Sequence, residues 1–263
     1  MNLKHPAFEA AERLLKPQGR RETGSYLVED RHLVRQALEA PQATVEAAYC
    51  VASEVPALEP LCVARGIPLY VLTGGLLQKL TGTGYETSVT AVAIVKQHIV
   101  KPAELLSEGA LVLCGERIQD PRNVGVLIRT AEAIGCTGLL LSAGSAEPFS
   151  RQAVRSTTGS ILRLPLALAG DLPKTLALLR EQGATVVASS GAATQTAAQA
   201  TLSVRPLVLV MGNEQEGISD EVAAASDRVV RLPMAPSTGA DSYNVTVAAG
   251  MLLYEAIRRD HMV

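Results

Sequence analysis

Three short stretches set chemically useful side chains beside glycines and small residues. Ser242-Tyr243-Asn244-Val245-Thr246-Val247-Ala248-Ala249 puts a hydroxyl and a carboxamide where a polar loop enters an apolar helix. Unpaired backbone N–H groups and small side chains at such a junction let a ligand approach closely. Asp120-Pro121-Arg122-Asn123-Val124-Gly125 is followed by Arg129, six residues after the Asn. Met211-Gly212-Asn213-Glu214-Gln215-Glu216-Gly217-Ile218-Ser219 carries two acids directly after an apolar run. That is where an α/β sheet presents its site, and the glycines allow close backbone approach.

Local chemistry alone leaves each residue with two readings. In a helix beginning near Asn123, Val124, Leu127, Ala131 and Ile134 make one apolar stripe and Arg129 points away from it. Arg129 is then either a solvated side chain or a site residue, with Glu132 placed to steer its guanidinium. Asn123 reads equally as a helix N-cap after the Asp120-Pro121 turn, and Ser242 and Asn244 as ordinary caps. Glu214 and Glu216 also suit a surface turn. The histidines, at 5, 32, 98 and 261, lie outside all three stretches, so no His base is at hand.

The elements that must position these residues follow from apolar patterning. Residues 1 to about 100 alternate short helical and strand patterns, ending in the apolar run 89–95, and a polar linker with Pro102 follows. Beyond about 108 come the apolar runs 110–114, 138–141, 184–189, 206–211 and 229–232, separated by helical stretches such as 171–182. Continuous apolar strands alternating with helices predict a mostly parallel sheet covered on both faces. No GxGxxG follows a strand, and neither a P-loop nor HExxH occurs. Gly82-Thr83-Gly84 lacks a third glycine, which counts against an ordinary Rossmann enzyme. Net charge is −2, so no global field draws the chain to a polyanion and nucleic-acid contacts need local Arg patches. Cys50, Cys62, Cys114 and Cys136 form no CxxC pair and read as reduced, buried thiols; no metal site is expected. With no signal-like or membrane-spanning run, the expectation is a soluble cytoplasmic protein without membrane contact.

Taken in chain order, the three stretches resemble the motifs of the SpoU (TrmH-like) branch of SPOUT RNA methyltransferases. The resemblance implies an α/β fold whose C-terminal parallel sheet, flanked by helices, carries a deep trefoil knot. A smaller L30e-like RNA-binding domain over 1–100 would precede a SPOUT methyltransferase domain over 105–263. It implies S-adenosylmethionine as cofactor, 2′-O-methylation of a ribose in structured RNA, and a homodimer in which Arg129 completes its own or the partner's site. Ribosomal RNA is favoured over transfer RNA. The catalytic residues so implied are Asn123, Arg129, Glu214, Ser242 and Asn244, and the cofactor residues Ser189, Gly212, Asn213, Leu232, Met234 and Tyr243. A guanidinium does not readily accept a proton, so Arg129 is assigned phosphate binding and polarisation of the attacking hydroxyl, with the general-base role that the resemblance implies left open. Arg13, Arg20 and Arg21, near Lys16, suit phosphate contacts. The N-terminal match departs from the family at Asp30, where glycine is expected, and at Tyr85-Glu86-Thr87. The rival readings are a transfer-RNA methyltransferase, a non-catalytic RNA-binding protein with a degenerate SPOUT domain, and an unrelated nucleotide-binding α/β enzyme.

Overall fold

The structure, a computed structural model, describes residues 5–81, 89–235, 239 and 241–258. Gly82-Thr83-Gly84, Tyr85-Glu86-Thr87 and His261 lie outside the described residues. The chain forms two compact units, 1–98 with 148–163, and 99–147 with 164–263. The division is therefore not continuous, as the expected ranges 1–100 and 105–263 have it.

In the first unit, α1 (Pro6–Arg13), α2 (Pro17–Thr23), β1 (Ser25–Glu29), α3 (Arg31–Glu39), β2 (Val45–Cys50), α4 (Val55–Ala64), β3 (Leu69–Val71), α5 (Gly74–Thr81) and β4 (Ala91–Lys96) follow one another. Their sheet runs β1-β4-β2-β3, antiparallel except for the β2–β3 pair. Phe8, Leu27, Tyr49, Leu77, Leu80, Val92 and Ile94 pack one of its cores. Asp30 holds φ 85° and ψ 139°, a conformation open mainly to glycine, while its carboxylate caps α3 through the His32 N–H at 2.8 Å. The departure from the family's glycine thus sits on a glycine-type backbone.

The second unit takes β5 (Ile99–Val100), β6 (Leu111–Gly115), α6 (Pro121–Ile134) and β7 (Gly138–Ser142) before the chain passes to the first unit for α7 (Arg151–Thr157). It resumes with β8 (Leu166–Ala169), α8 (Leu172–Glu181), β9 (Thr185–Ser189), β10 (Gln195–Thr196), β11 (Leu207–Met211), α9 (Asp220–Ala224), β12 (Arg228–Arg231) and α10 (Val245–Ile257). The eight strands are ordered β10-β12-β9-β11-β6-β7-β8-β5, and every pair is parallel. β6, β7 and β11 are buried throughout, as strands covered on both faces must be. Val112, Cys114, Leu140, Leu176, Val186, Val208 and Val210 form the core on one side. α10 packs on α6. All four cysteines are free and buried, and burial pushes the Cys50 thiol up to about 11.

Residues 148–163 join the first unit through side chains that the apolar pattern does not single out. Phe149 stacks at a tilt on Tyr26, with ring centroids 5.0 Å apart. Arg151 Nε donates to both carboxylate oxygens of Glu29, at 2.7 and 2.8 Å, and Glu29 is only 4% exposed. Burial raises the Glu29 carboxyl and Arg151 partly offsets the rise.

Candidate active site

α6 starts two residues earlier than expected. Asp120 is its N-cap, accepting from the Arg122 N–H at 2.8 Å, Pro121 opens the first turn, and Gly135 closes the helix at φ 89°. Asn123 is thereby freed from capping. Its Nδ2 donates to Glu214 at 2.8 Å, and its Oδ1 accepts from Asn244 Nδ2 at 3.4 Å. Asn244 caps α10 as well, accepting the Thr246 N–H at 2.9 Å. One residue from each of the three stretches thus enters a single chain of hydrogen bonds.

Glu214 is its anchor. Besides Asn123 it accepts the backbone N–H groups of Gln119 at 3.0 Å and Asp120 at 3.2 Å. Burial alone would raise this carboxyl, but donation by Gln119, Asn123, its own N–H and Asp120 outweighs it and holds the group below its ordinary value. Glu214 is consequently a clamped carboxylate. Asn213 is equally committed: its Oδ1 accepts from Gln215 and Glu216 at 2.8 and 3.0 Å, and its Nδ2 donates to the Arg117 carbonyl at 2.7 Å.

Gly212, besides lining the cleft, is required by the backbone itself. A Cβ there would lie 2.3 Å from the Gly217 carbonyl carbon and 2.4 Å from the Ile218 nitrogen. The missing side chain makes room for the protein's own turn, which the paired Asn213 and Gly217 backbones close at 2.9 and 3.0 Å.

At the carboxyl ends of β9, β11 and β12 lies a cleft of about 760 Å³, within the size range of small-molecule sites. Ser189, Gly212, Asn213, Leu232, Met234 and Tyr243 all line it, with Glu214, Ser242 and Asn244. Tyr243 Oη donates to the Pro233 carbonyl at 3.1 Å, tying the residues after β12 to those before α10; Pro236 lies outside the described residues. Ser242 is exposed, and its hydroxyl makes no hydrogen bond with the described residues. Arg129 does not line the cleft. It lies exposed on α6, off the buried stripe of Val124, Leu127, Ile128 and Ala131, and pairs with no described residue.

Sequence reasoning missed Ser190, Gly191, Arg231 and Asp241, which also line the cleft. It missed too the ion pair of Arg117 Nη1 with Glu216 at 2.8 Å, which joins the loop after β6 to the loop after β11. Position at the end of a strand was the available signal for Arg231.

The three basic residues proposed for phosphate contact divide. Arg21 is exposed and makes no pair with described residues, and Arg13, also exposed, pairs with Glu22 at 3.2 Å. Arg20 corrects the expectation: it is 5% exposed and its Nη1 donates to the Leu14 carbonyl at 2.7 Å, just beyond α1.

Comparison with known proteins supplies the family. Residues 110–254 match the model of the SpoU rRNA methylase family. The chain is 32% identical to an uncharacterised tRNA/rRNA methyltransferase of Synechocystis over 97% of its own length and 92% of that protein. It is 30% identical to a 23S rRNA guanosine-2′-O-methyltransferase of Bacillus subtilis, over 89% of each chain. Its fold superposes on the AdoMet-bound rRNA methyltransferase of Sinorhizobium meliloti with a TM-score of 0.86, at 29% identity, over 100% of this chain and 97% of that one. With its three motif stretches linked by hydrogen bonds beside one cleft and more than half its length matched, the chain belongs to the SpoU rRNA methylase family and is an S-adenosylmethionine-dependent RNA methyltransferase.

Proposed function

We propose that this methyltransferase acts on a ribose 2′-hydroxyl in structured ribosomal RNA, with its cofactor in the cleft at the ends of β9, β11 and β12. The observation that carries the reading is the Glu214–Asn123–Asn244 chain, which locks the three motif stretches into one rim beside a cleft of cofactor size. Bound there, S-adenosylmethionine supplies an electrophilic methyl group. The chain's own task is then to hold the cofactor, keep water away and orient the attacking hydroxyl. Clamped Glu214 and Asn213 fix the loop, Ser189, Leu232, Met234 and Tyr243 wall the cofactor, and Ser242 offers at the mouth a hydroxyl that no described residue engages. The 2′-O naming of the Bacillus subtilis relative supports the ribose as acceptor and ribosomal RNA as the substrate class.

Arg129 supplies the phosphate contact and polarises the hydroxyl. Its absence from the cleft lining favours delivery to the partner's site across a homodimer. Val247, Met251 and Tyr254 support such a dimer: 52%, 41% and 63% exposed, they recur at helical spacing along α10. The first unit, presenting Arg13 and Arg21, selects the RNA, and the second carries out transfer. No helix among the described residues is long and apolar enough to cross a membrane, and a cytoplasmic setting accords with an RNA substrate. Hydrogen exchange of the intact protein with and without S-adenosylmethionine tests the placement. Protection should concentrate in 189–191, 211–217, 231–234 and 241–245, and protection elsewhere alone would move the cofactor out of this cleft.

A further inference from the structure

The charged groups lining the cleft are Glu214, Glu216, Asp241 and Arg231. Glu214 is spent on three donors and Glu216 on Arg117. Arg231 and Asp241 pair with no described residue, so one cation and one anion remain uncommitted. Arg231 is half-buried at the end of β12, beside fully buried Val230. Its backbone is fixed: its carbonyl accepts the Ala197 N–H at 2.9 Å and it stands in register with Thr196 of β10. A guanidinium held on a rigid strand end, partly out of water and without a partner among the described residues, lacks there the acceptor that such a group normally finds.

We propose that Arg231 binds the α-carboxylate of the cofactor's methionine moiety, with Asp241 facing the α-ammonium beside it. Among the described residues, the one uncommitted cation and one uncommitted anion of the cleft match the two charges of an amino-acid zwitterion, and a planar guanidinium fork suits a carboxylate. The inference rests on the cofactor occupying this cleft, as proposed above.

Calorimetry with S-adenosylmethionine and its decarboxylated analogue tests it on the unaltered protein. The analogue keeps adenosine, sulfonium and amine and carries one more net positive charge, so a cleft lined by three acids and indifferent to the carboxylate would bind it at least as tightly. The unaltered protein should instead prefer S-adenosylmethionine by about tenfold or more, the worth of a charge-assisted pair. Arg231→Gln should abolish that preference by weakening only the carboxylated ligand, and Arg231→Lys should restore part of it. Lack of discrimination by the unaltered protein overturns the proposal. So does an Arg231→Gln variant that retains the preference, that weakens both ligands equally, or that loses only RNA affinity. Hydrogen exchange separates this failure from that of the parent reading: protection of the cleft segments without discrimination defeats Arg231 alone, whereas no protection there defeats the cofactor placement.

Discussion

At the scale of the residue, Glu214 shows how a carboxylate can tie loops together by accepting hydrogen bonds. Glu214→Gln replaces one acceptor oxygen with a donor facing N–H groups that already donate, so stability should fall by about 1–3 kcal/mol. Because the folded-state pKa lies below the ordinary 4.5, this contribution is whole above that value and is lost as pH falls through the lower folded value. Denaturation against pH should therefore show a gap between wild type and variant that closes only in acid; a gap that widens there would contradict the clamp. Arg129 predicts the opposite separation. Exposed and unpaired among the described residues, Arg129→Ala should leave stability within roughly half a kcal/mol, yet lower single-turnover methyl transfer about a hundredfold. Arg129→Lys should rescue poorly, since an ammonium lacks the planar fork, and near-normal transfer by the alanine variant would remove Arg129 from the chemistry. Asp30→Gly offers a gain. Relief of a positive-φ strain of about 1–3 kcal/mol should outweigh a few tenths for the lost cap and the added freedom of the unfolded chain, so the melting temperature should rise.

The elements differ in how far the sequence disclosed them. β6, β7 and β11 were legible because each is an unbroken apolar run, which only a doubly covered strand explains. α7 was not: Arg151-Gln152-Ala153-Val154-Arg155-Ser156-Thr157 has no apolar stripe, and what fixes it is an ion pair with Glu29 from far upstream. Arg20 hid for a related reason, since a charge reads as surface until its carbonyl partner is known. The cleft-lining stretches were legible as strand ends, whereas the reason for Gly212 was not, because the atoms it avoids belong to a turn that only the folded backbone closes. On α10 the exposed stripe gives a direct prediction. Met251→Glu places a charge at the proposed dimer contact and should yield monomers in light scattering while leaving helicity intact; an unchanged dimer would assign the interface elsewhere.

For the whole molecule, the interleaved units bear on any attempt to divide it. A fragment from 105 onward would retain 148–163 without β1, whose Tyr26 packs on Phe149 and which contacts α7 in the intact chain. It should unfold less cooperatively than the full protein, and a fragment melting as sharply and as high would show that this segment needs no cover. The central claim, however, concerns the product. Purified enzyme, S-adenosylmethionine carrying a labelled methyl group and unmodified ribosomal RNA should yield RNA whose digestion to nucleosides places the label on a ribose 2′-oxygen at one position, with transfer RNA left unlabelled. Label on a base, or on transfer RNA alone, would contradict the account.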